Sequence, residues 1–336
     1  LADARAFHKK LGVRVIERMG IGHQVAGEIG LARPGELFAH GDAHVNTQGA
    51  IGCLALGGMN PLVLQVEGTM NMTVPSTIKV IIHGKFPKGT NSRDLWLKLF
   101  GDIGPDGAKG CMLEFVGPTI DEMSIDDRMT LCNSVHFAEA RGAIINPDQK
   151  TLEWAKPRSS RPLEPLSSDS DATFQEVWEY DVSDLVPYVA VPPNLYDCRP
   201  LEEFEGRHID QAYLGSCASG RLDDLRFASQ ILKGHKKHPE VRLNIIPTSQ
   251  EIMSKAMKEG IMEILIESDA FTSSPSCDYC FGKASSMAPG ETAISTGTLN
   301  IPGRLGSTKA DIFQANPGSV VASAIEGKIT DPRRFL

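Results

Sequence analysis

Between Ser76 and Pro87 apolar and polar positions alternate with period two (STIKVIIHGKFP). This predicts a strand with one buried face, closed by a Pro87-Lys88-Gly89 turn. Upstream, Ala2–Leu11 predicts a helix and Val13–Ile16 a short strand. Gly20–Gly52 is rich in Gly and His and carries few helix signals before Asn46. Within it Pro34-Gly35 marks a turn, Glu36–Ala39 a strand, and a helix is expected through Gly49–Leu56. Downstream, Ser92–Gly101 predicts a helix capped by Ser92, Met112–Val116 a strand, and Ser124–Gly142 a long amphipathic helix with Ser124 as N-cap. Lys156–Phe174 is dense in Pro, Ser and Asp and has no apolar face, so it reads as an exposed linker. Glu176–Val191 returns to a strand-like pattern before Pro192-Pro193. Beyond it come a strand at Gln211–Leu214, a Gly215-Ser216-Cys217 turn, a helix at Leu222–Leu232, a strand at Val241–Ile246 and a helix at Ser249–Glu259. That βαβ rhythm predicts an α/β fold with mostly parallel sheets. The texture divides into three units: residues 1–77, residues 78–180 with the linker near 156–174, and residues 181–336. The chain opens inside an α/β unit, so a fragment or one chain of a divided enzyme is expected.

Composition narrows the function classes. The 336 residues are 41% hydrophobic and 23% charged, ordinary for a globular protein of two or three domains. A net charge of −8 argues against a nucleic-acid or anionic-membrane partner, but a small anionic substrate needs only a locally positive pocket. Apolar runs near Ile51–Leu64 and Ile261–Ile266 are too short or too interrupted to span a bilayer, and Leu1–Lys10 does not read as a secretory leader. The seven cysteines are an odd set, which fits a reduced thiolate site in the cytoplasm or an organelle matrix better than a disulfide framework.

The candidate chemistry is concentrated in a few places. Cys217 stands at a strand-to-helix turn, and Cys277 and Cys280 form a Cys-x-x-Cys sixty positions on. A structural zinc usually takes four protein ligands, and no fourth is evident; a cubane cluster held by three thiolates keeps one iron open. His23, Asp42 and His44 lie within about twenty residues, which invites acid–base chemistry; two structural turn histidines are the alternative. Glu114 falls inside an apolar strand and must be paired if buried, or else it faces the surface. Arg304, in the loop Leu299–Gly306, is a candidate carboxylate ligand, against the ordinary alternative of a surface arginine.

Taken together, GIGHQV, HGDAH, Glu114 followed by MSIDDRMTLCN, LGSCASGRLDDL, SCDYC, PGRLG and ANPGSVVASAIEGKITDPR resemble the large subunits of the aconitase superfamily, nearest its 3-isopropylmalate dehydratase and homoaconitase branch. The resemblance covers nearly the whole chain. It implies three α/β domains around a [4Fe-4S] cluster held by Cys217, Cys277 and Cys280. It pairs His23 with Asp42 and His44 with Glu114 at the departing hydroxyl, and it makes Arg304 a ligand of the substrate carboxylate. A reversible dehydration and rehydration is implied, with the catalytic serine carried by a separate small swivelling subunit.

The departures fall on substrate handling. Ala43 stands where the family has Ser, and Thr298-Leu299-Asn300 where it has Asn-Arg-Asn. The missing arginine removes a charge-assisted contact worth roughly 1.5–3 kcal/mol. Ala218-Ser219 replaces Thr-Asn after Cys217, and the family's N-terminal Asp-His pair has no counterpart in this sequence. A hydro-lyase of altered, specialised substrate is expected, more than ordinary leucine-pathway isomerisation; the competing expectation is a non-catalytic iron–sulfur scaffold or sensor.

Overall fold

The computed structural model describes residues 2–336. Among these residues twelve strands build three sheets. β1 (Leu37–Ala39) and β2 (Leu54–Leu56) form a parallel pair. β3 (Thr77–His83), β4 (Met112–Val116), β5 (Gly142–Ile144) and β6 (Glu176–Asp181) form a fully parallel sheet in the order β5-β4-β3-β6. The third sheet holds β7 (Tyr188–Ala190), β8 (Cys198–Pro200), β9 (Gln211–Leu214), β10 (Arg242–Ile245), β11 (Thr292–Ser295) and β12 (Asp311–Gln314). Its order is β10-β9-β11-β12-β7-β8, with only the β12-β7 and β7-β8 pairs antiparallel. The expected α/β class with parallel-dominated sheets is what the chain adopts.

Period two in β3 has a direct packing cause. Ile78, Val80 and Ile82 are buried while the intervening residues are partly exposed. Each such side chain taken from water contributes roughly 1.5–3 kcal/mol. They join Leu95, Trp96, Leu99 and Phe100 of the helix Ser92–Ile103 in a core that extends to Ala50 and Ile51 beside the first sheet. A second core lies under the third sheet, where the helices Leu222–Leu232 and Pro317–Glu326 pack.

Several local expectations are corrected. Val13–Ile16 forms no strand; Val13 and Val15 are exposed and the segment pairs with no sheet. Gly22–Glu28 is a helix despite its two glycines, because burial of Gln24 through Glu28 outweighs their poor propensity. The helix expected through Gly49–Leu56 is a 3-10 segment, Ala43–Ile51, and its last three residues instead form β2 against β1. Asn91, not Ser92, caps the next helix. Its side chain accepts from the Arg93 amide at 3.0 Å while Asp94 accepts from the Asn91 amide at 3.0 Å. Ser124 does cap its helix, but that helix ends at Asn133, since the chain must turn through Val135–Ala138 to enter β5. Glu176–Val191 divides into β6 and β7, strands of two different sheets.

The second and third sheets are locked together by buried polar groups. Arg93 donates to the Gly297 carbonyl at 2.9 Å and to Gln314 Oε1 at 3.0 Å. Asp94 accepts from the Tyr188 amide at 2.9 Å and from Asn316 Nδ2 at 2.7 Å. Burial nonetheless dominates, and it pushes the Asp94 carboxyl up to about 7. The folded chain therefore holds a proton that an unfolded aspartate releases near pH 4. That contribution to stability is full below about pH 4 and is lost as pH rises toward 7. Asp94→Asn is expected to reduce the decline of unfolding free energy across that window, as read from urea denaturation at a series of pH values.

Candidate active site

Three cysteines meet at the carboxyl ends of β9 and β11. The chain leaves β9 through Gly215 and then Ser216, whose φ is +75°, so that Cys217 turns inward before the helix Leu222–Leu232 begins. Thr296, just past β11, fixes this turn. Its Oγ1 accepts from the Gly215 amide at 2.8 Å, and its carbonyl accepts from Ser216 Oγ at 3.2 Å. Crevices beyond the carboxyl ends of parallel strands are where α/β proteins place their sites. Cys277 and Cys280 arrive on the irregular segment that precedes β11, packed with Tyr213 and Ile246. None of the seven cysteines is bonded to another.

The electrostatics of the thiols differ. Burial pushes Cys217 up to about 12, opposed by the Asn133 side chain beside it. The Cys277 thiol donates to Cys280, which is held well below the ordinary thiol range by that contact, with Arg304 assisting; Cys277 is correspondingly raised. Arg304 Nη2 stands 3.1 Å from Cys280 Sγ and 3.4 Å from Thr298 Oγ1, and its guanidinium lies 3.9 Å over the Phe281 ring. Thr298, at the position of one of the departures, is thus a neighbour of both Cys280 and Arg304.

His23, Asp42 and His44 come from the helix Gly22–Glu28 and the start of the 3-10 segment Ala43–Ile51. One carboxylate oxygen, Asp42 Oδ1, faces both imidazoles, at 3.5 Å from His23 Nε2 and 3.0 Å from His44 Nδ1. The two histidines hold the Asp42 carboxyl far below the usual carboxylate range. An ionised carboxylate only accepts, so the ring nitrogens facing it carry the protons. This leaves His23 Nδ1 and His44 Nε2 as the free nitrogens, and His44 Nε2 is buried without a partner. Ring or sulfur donor atoms of His23, His44 and Cys217 lie within 4.8 Å of one another. The acid–base cluster and Cys217, separate in sequence, therefore share one site.

Glu114 is buried, but it does not pair with His44 as the resemblance implies. Its carboxylate accepts from Asn146 Nδ2 at 3.0 Å and from Ser168 Oγ at 2.6 Å, and His44 is committed to Asp42. Residues that the sequence reading did not single out complete the site. Arg221 is fully buried; it donates to Gln24 Oε1 at 2.9 Å, to Thr130 Oγ1 at 3.1 Å and to the Cys217 carbonyl at 2.6 Å. His136 lies edge-on to His44 with ring centroids 4.5 Å apart, and burial pushes it down to about 3, so it is neutral. Arg221 could have been found only from its place in LGSCASGRLDDL, since burial of an arginine leaves no periodic signal.

The profile of the aconitase family (aconitate hydratase) matches residues 3–207 and 195–327. The chain belongs to the aconitase family. The 3-isopropylmalate dehydratase large subunit of Thermodesulfovibrio yellowstonii is 41% identical over 323 residues, 95% of this chain and 77% of that protein. The large subunit 1 of Methanopyrus kandleri is 39% identical over 322 residues, again 95% of this chain and 77% of the relative. That of Pyrococcus furiosus is 39% identical over 341 residues, 99% of this chain and 80% of the relative. Membership of this family implies an iron–sulfur cofactor. The residues present fit one: three unbridged thiols converge, and around them lie buried polar atoms with no partner among the described residues, His44 Nε2, Tyr213 Oη, Ser219 Oγ and Arg304 Nε. No helix among the described residues is long and apolar enough to cross a membrane.

Ser168 belongs to the segment between Arg158 and β6, most of it exposed. Ser168→Ala strips a buried carboxylate of one donor, so stability is expected to fall by about 1–3 kcal/mol in chemical denaturation. Proteolysis of that segment should accelerate.

Proposed function

We propose that the chain is the large subunit of an iron–sulfur-dependent hydro-lyase acting on a small hydroxy-carboxylic acid of the isopropylmalate or homocitrate type. The observation that carries this reading is Cys217, neighbour of Cys277 and Cys280, standing within 4.8 Å of a histidine pair bridged by Asp42, in a member of the aconitase family. Cys217, Cys277 and Cys280 would hold a [4Fe-4S] cluster. When bound, that cluster supplies an open iron, a Lewis acid for the substrate's hydroxyl and carboxylate oxygens. A zinc ion could use the set His23, His44 and Cys217, but it would leave the Cys277–Cys280 pair without a role.

Asp42 fixes the orientation of both imidazoles and supports positive charge on either. In its imidazolium form, with Asp42 as the counter-charge, His44 through Nε2 or His23 through Nδ1 would give a proton to the departing hydroxyl, and the ring left neutral would take one back from water on rehydration. His136, neutral and packed against His44, closes the far side of the ring to water. Arg304 binds a substrate carboxylate by exchanging its present contacts with Cys280 and Thr298 for a stronger charge-assisted one. Glu114 would serve to hold Asn146 and Ser168 in place, the role its bonds support. The proton beside the carboxylate is taken by a base from the small subunit, a partner consistent with the large-subunit names of the relatives. Those names favour an isopropylmalate-type substrate, whereas Ala43, Thr298 and Leu299 favour a variant of it.

Anaerobic reconstitution with iron and sulfide is expected to give the broad visible absorption of an iron–sulfur cluster, and Cys277→Ser is expected to abolish it. Retention of a full cubane by that variant would sink the assignment. Co-purification with a small subunit, then assay over a panel of 2- and 3-hydroxy acids, should reveal turnover. Asp42→Asn is expected to lower kcat by roughly 10²–10⁴-fold. Absence of turnover with an intact cluster and partner would instead favour a scaffold or sensor.

A further inference from the structure

Tyr213 is the third residue of β9 and is 1% exposed. Its hydroxyl is buried, and nothing among the described residues accepts its proton. The Ser216 amide faces the phenol oxygen from the acceptor side only, without the geometry of a sound hydrogen bond. A phenylalanine would fill the same space without burying a donor, and a buried tyrosine normally finds a partner for its hydroxyl. The orphaned group therefore points to an acceptor that is not part of the polypeptide.

The surroundings say where that acceptor lies. The Tyr213 ring stacks on Tyr279, between Cys277 and Cys280, with centroids 6.3 Å apart and planes inclined by 19°. Cys280, Cys277 and Cys217 are its cysteine neighbours. At its far end, a Cβ added to Gly215 would stand 2.6 Å from the phenol oxygen, so the hydroxyl reaches the turn that carries Cys217. The ring thus lies beside the Cys277–Cys280 pair, and its hydroxyl reaches the Gly215-Ser216 turn that leads into Cys217. Sulfurs of an iron–sulfur cluster are hydrogen-bond acceptors, and hydrogen bonds to them tune its reduction potential.

We propose that Tyr213 is a positioning residue for the cluster, donating its hydroxyl proton to one of the cluster's sulfurs. This rests on the reading of Cys217, Cys277 and Cys280 as cluster ligands. The bond stabilises the reduced, more negative cluster, so it raises the reduction potential and slows cluster loss. Only the oxygen atom is removed by Tyr213→Phe, and the ring packing is kept. The reconstituted holoprotein is titrated with EPR detection, and exchangeable protons near the cluster are compared in H2O and D2O by ENDOR. In Y213F the potential is expected to fall, with a roughly tenfold change in the reduction equilibrium, about 59 mV for one electron. One exchangeable proton coupling should vanish. Tyr279→Phe, the ring control, is expected to leave both unchanged. Equal potentials and proton couplings in wild type and Y213F overturn the proposal, and so does a shift as large in Y279F. In the wild type alone, absence of any coupled exchangeable proton overturns it without recourse to a variant. A wild-type chain that takes up no cluster removes the ligand assignment itself, and this inference with it.

Discussion

The guanidinium of Arg221 is wholly buried, and its three hydrogen bonds reach three separate parts of the chain. Gln24 follows His23 on its helix, Thr130 stands one turn before Asn133 on the helix that flanks Cys217, and the Cys217 carbonyl belongs to the cysteine turn itself. A buried cation without partners is costly, typically 3–5 kcal/mol when one partner of a buried pair is lost. Arg221 can therefore be tolerated only when all three elements are in register. The charge demands the geometry that the site requires. The Arg221 amide adds to this, donating at 2.9 Å to Asp224 and fixing the first turn of the helix that follows.

Further buried polar groups tie distant segments of the chain together at other points. Ser249 caps its own helix and also donates to Glu28 at 2.6 Å, and the Ile21 amide donates to the Thr248 carbonyl at 2.9 Å, so the start of the His23 helix is anchored on the turn that follows β10. Arg93 and Asp94 join the helix Ser92–Ile103 to the loop after β11 and to the cap of the helix Pro317–Glu326. Apolar cores alone would let the sheets and helices slide, because hydrophobic contact is not directional. Directional bonds at these seams place His23 and His44 within reach of Cys217.

Asp42 illustrates how one group serves both structure and chemistry. Its Oδ1 accepts from the His44 amide at 2.9 Å, which starts the 3-10 segment, and the same oxygen faces both imidazoles. Its carboxylate stays ionised because those contacts outweigh its partial burial. The tautomers of two candidate acid–base residues thus follow from a turn-forming aspartate.

Strongly periodic or sharply punctuated stretches are legible in the order of residues. Met112–Val116 and Gln211–Leu214 match to the residue, and the helix expected from about Leu222 to Leu232 covers that span, since period, length and flanking turns all agree there. The short helix Gly22–Glu28 and the β1-β2 pair are not legible in this way, because their stability comes from burial against distant partners and not from local propensity. The candidate residues themselves are visible as types: cysteines, histidines and carboxylates carry chemistry wherever they fall. Their pairing is not. Whether His44 bonds Asp42 or Glu114, and which side chains surround Cys280, depends on through-space distances of a few ångströms between segments tens to hundreds of positions apart. Residue order therefore carries the parallel α/β rhythm, the family and the thiolate set. Which acid holds which base is settled by the folded arrangement, because hydrogen bonding selects partners by distance and angle, and neither is written along the chain.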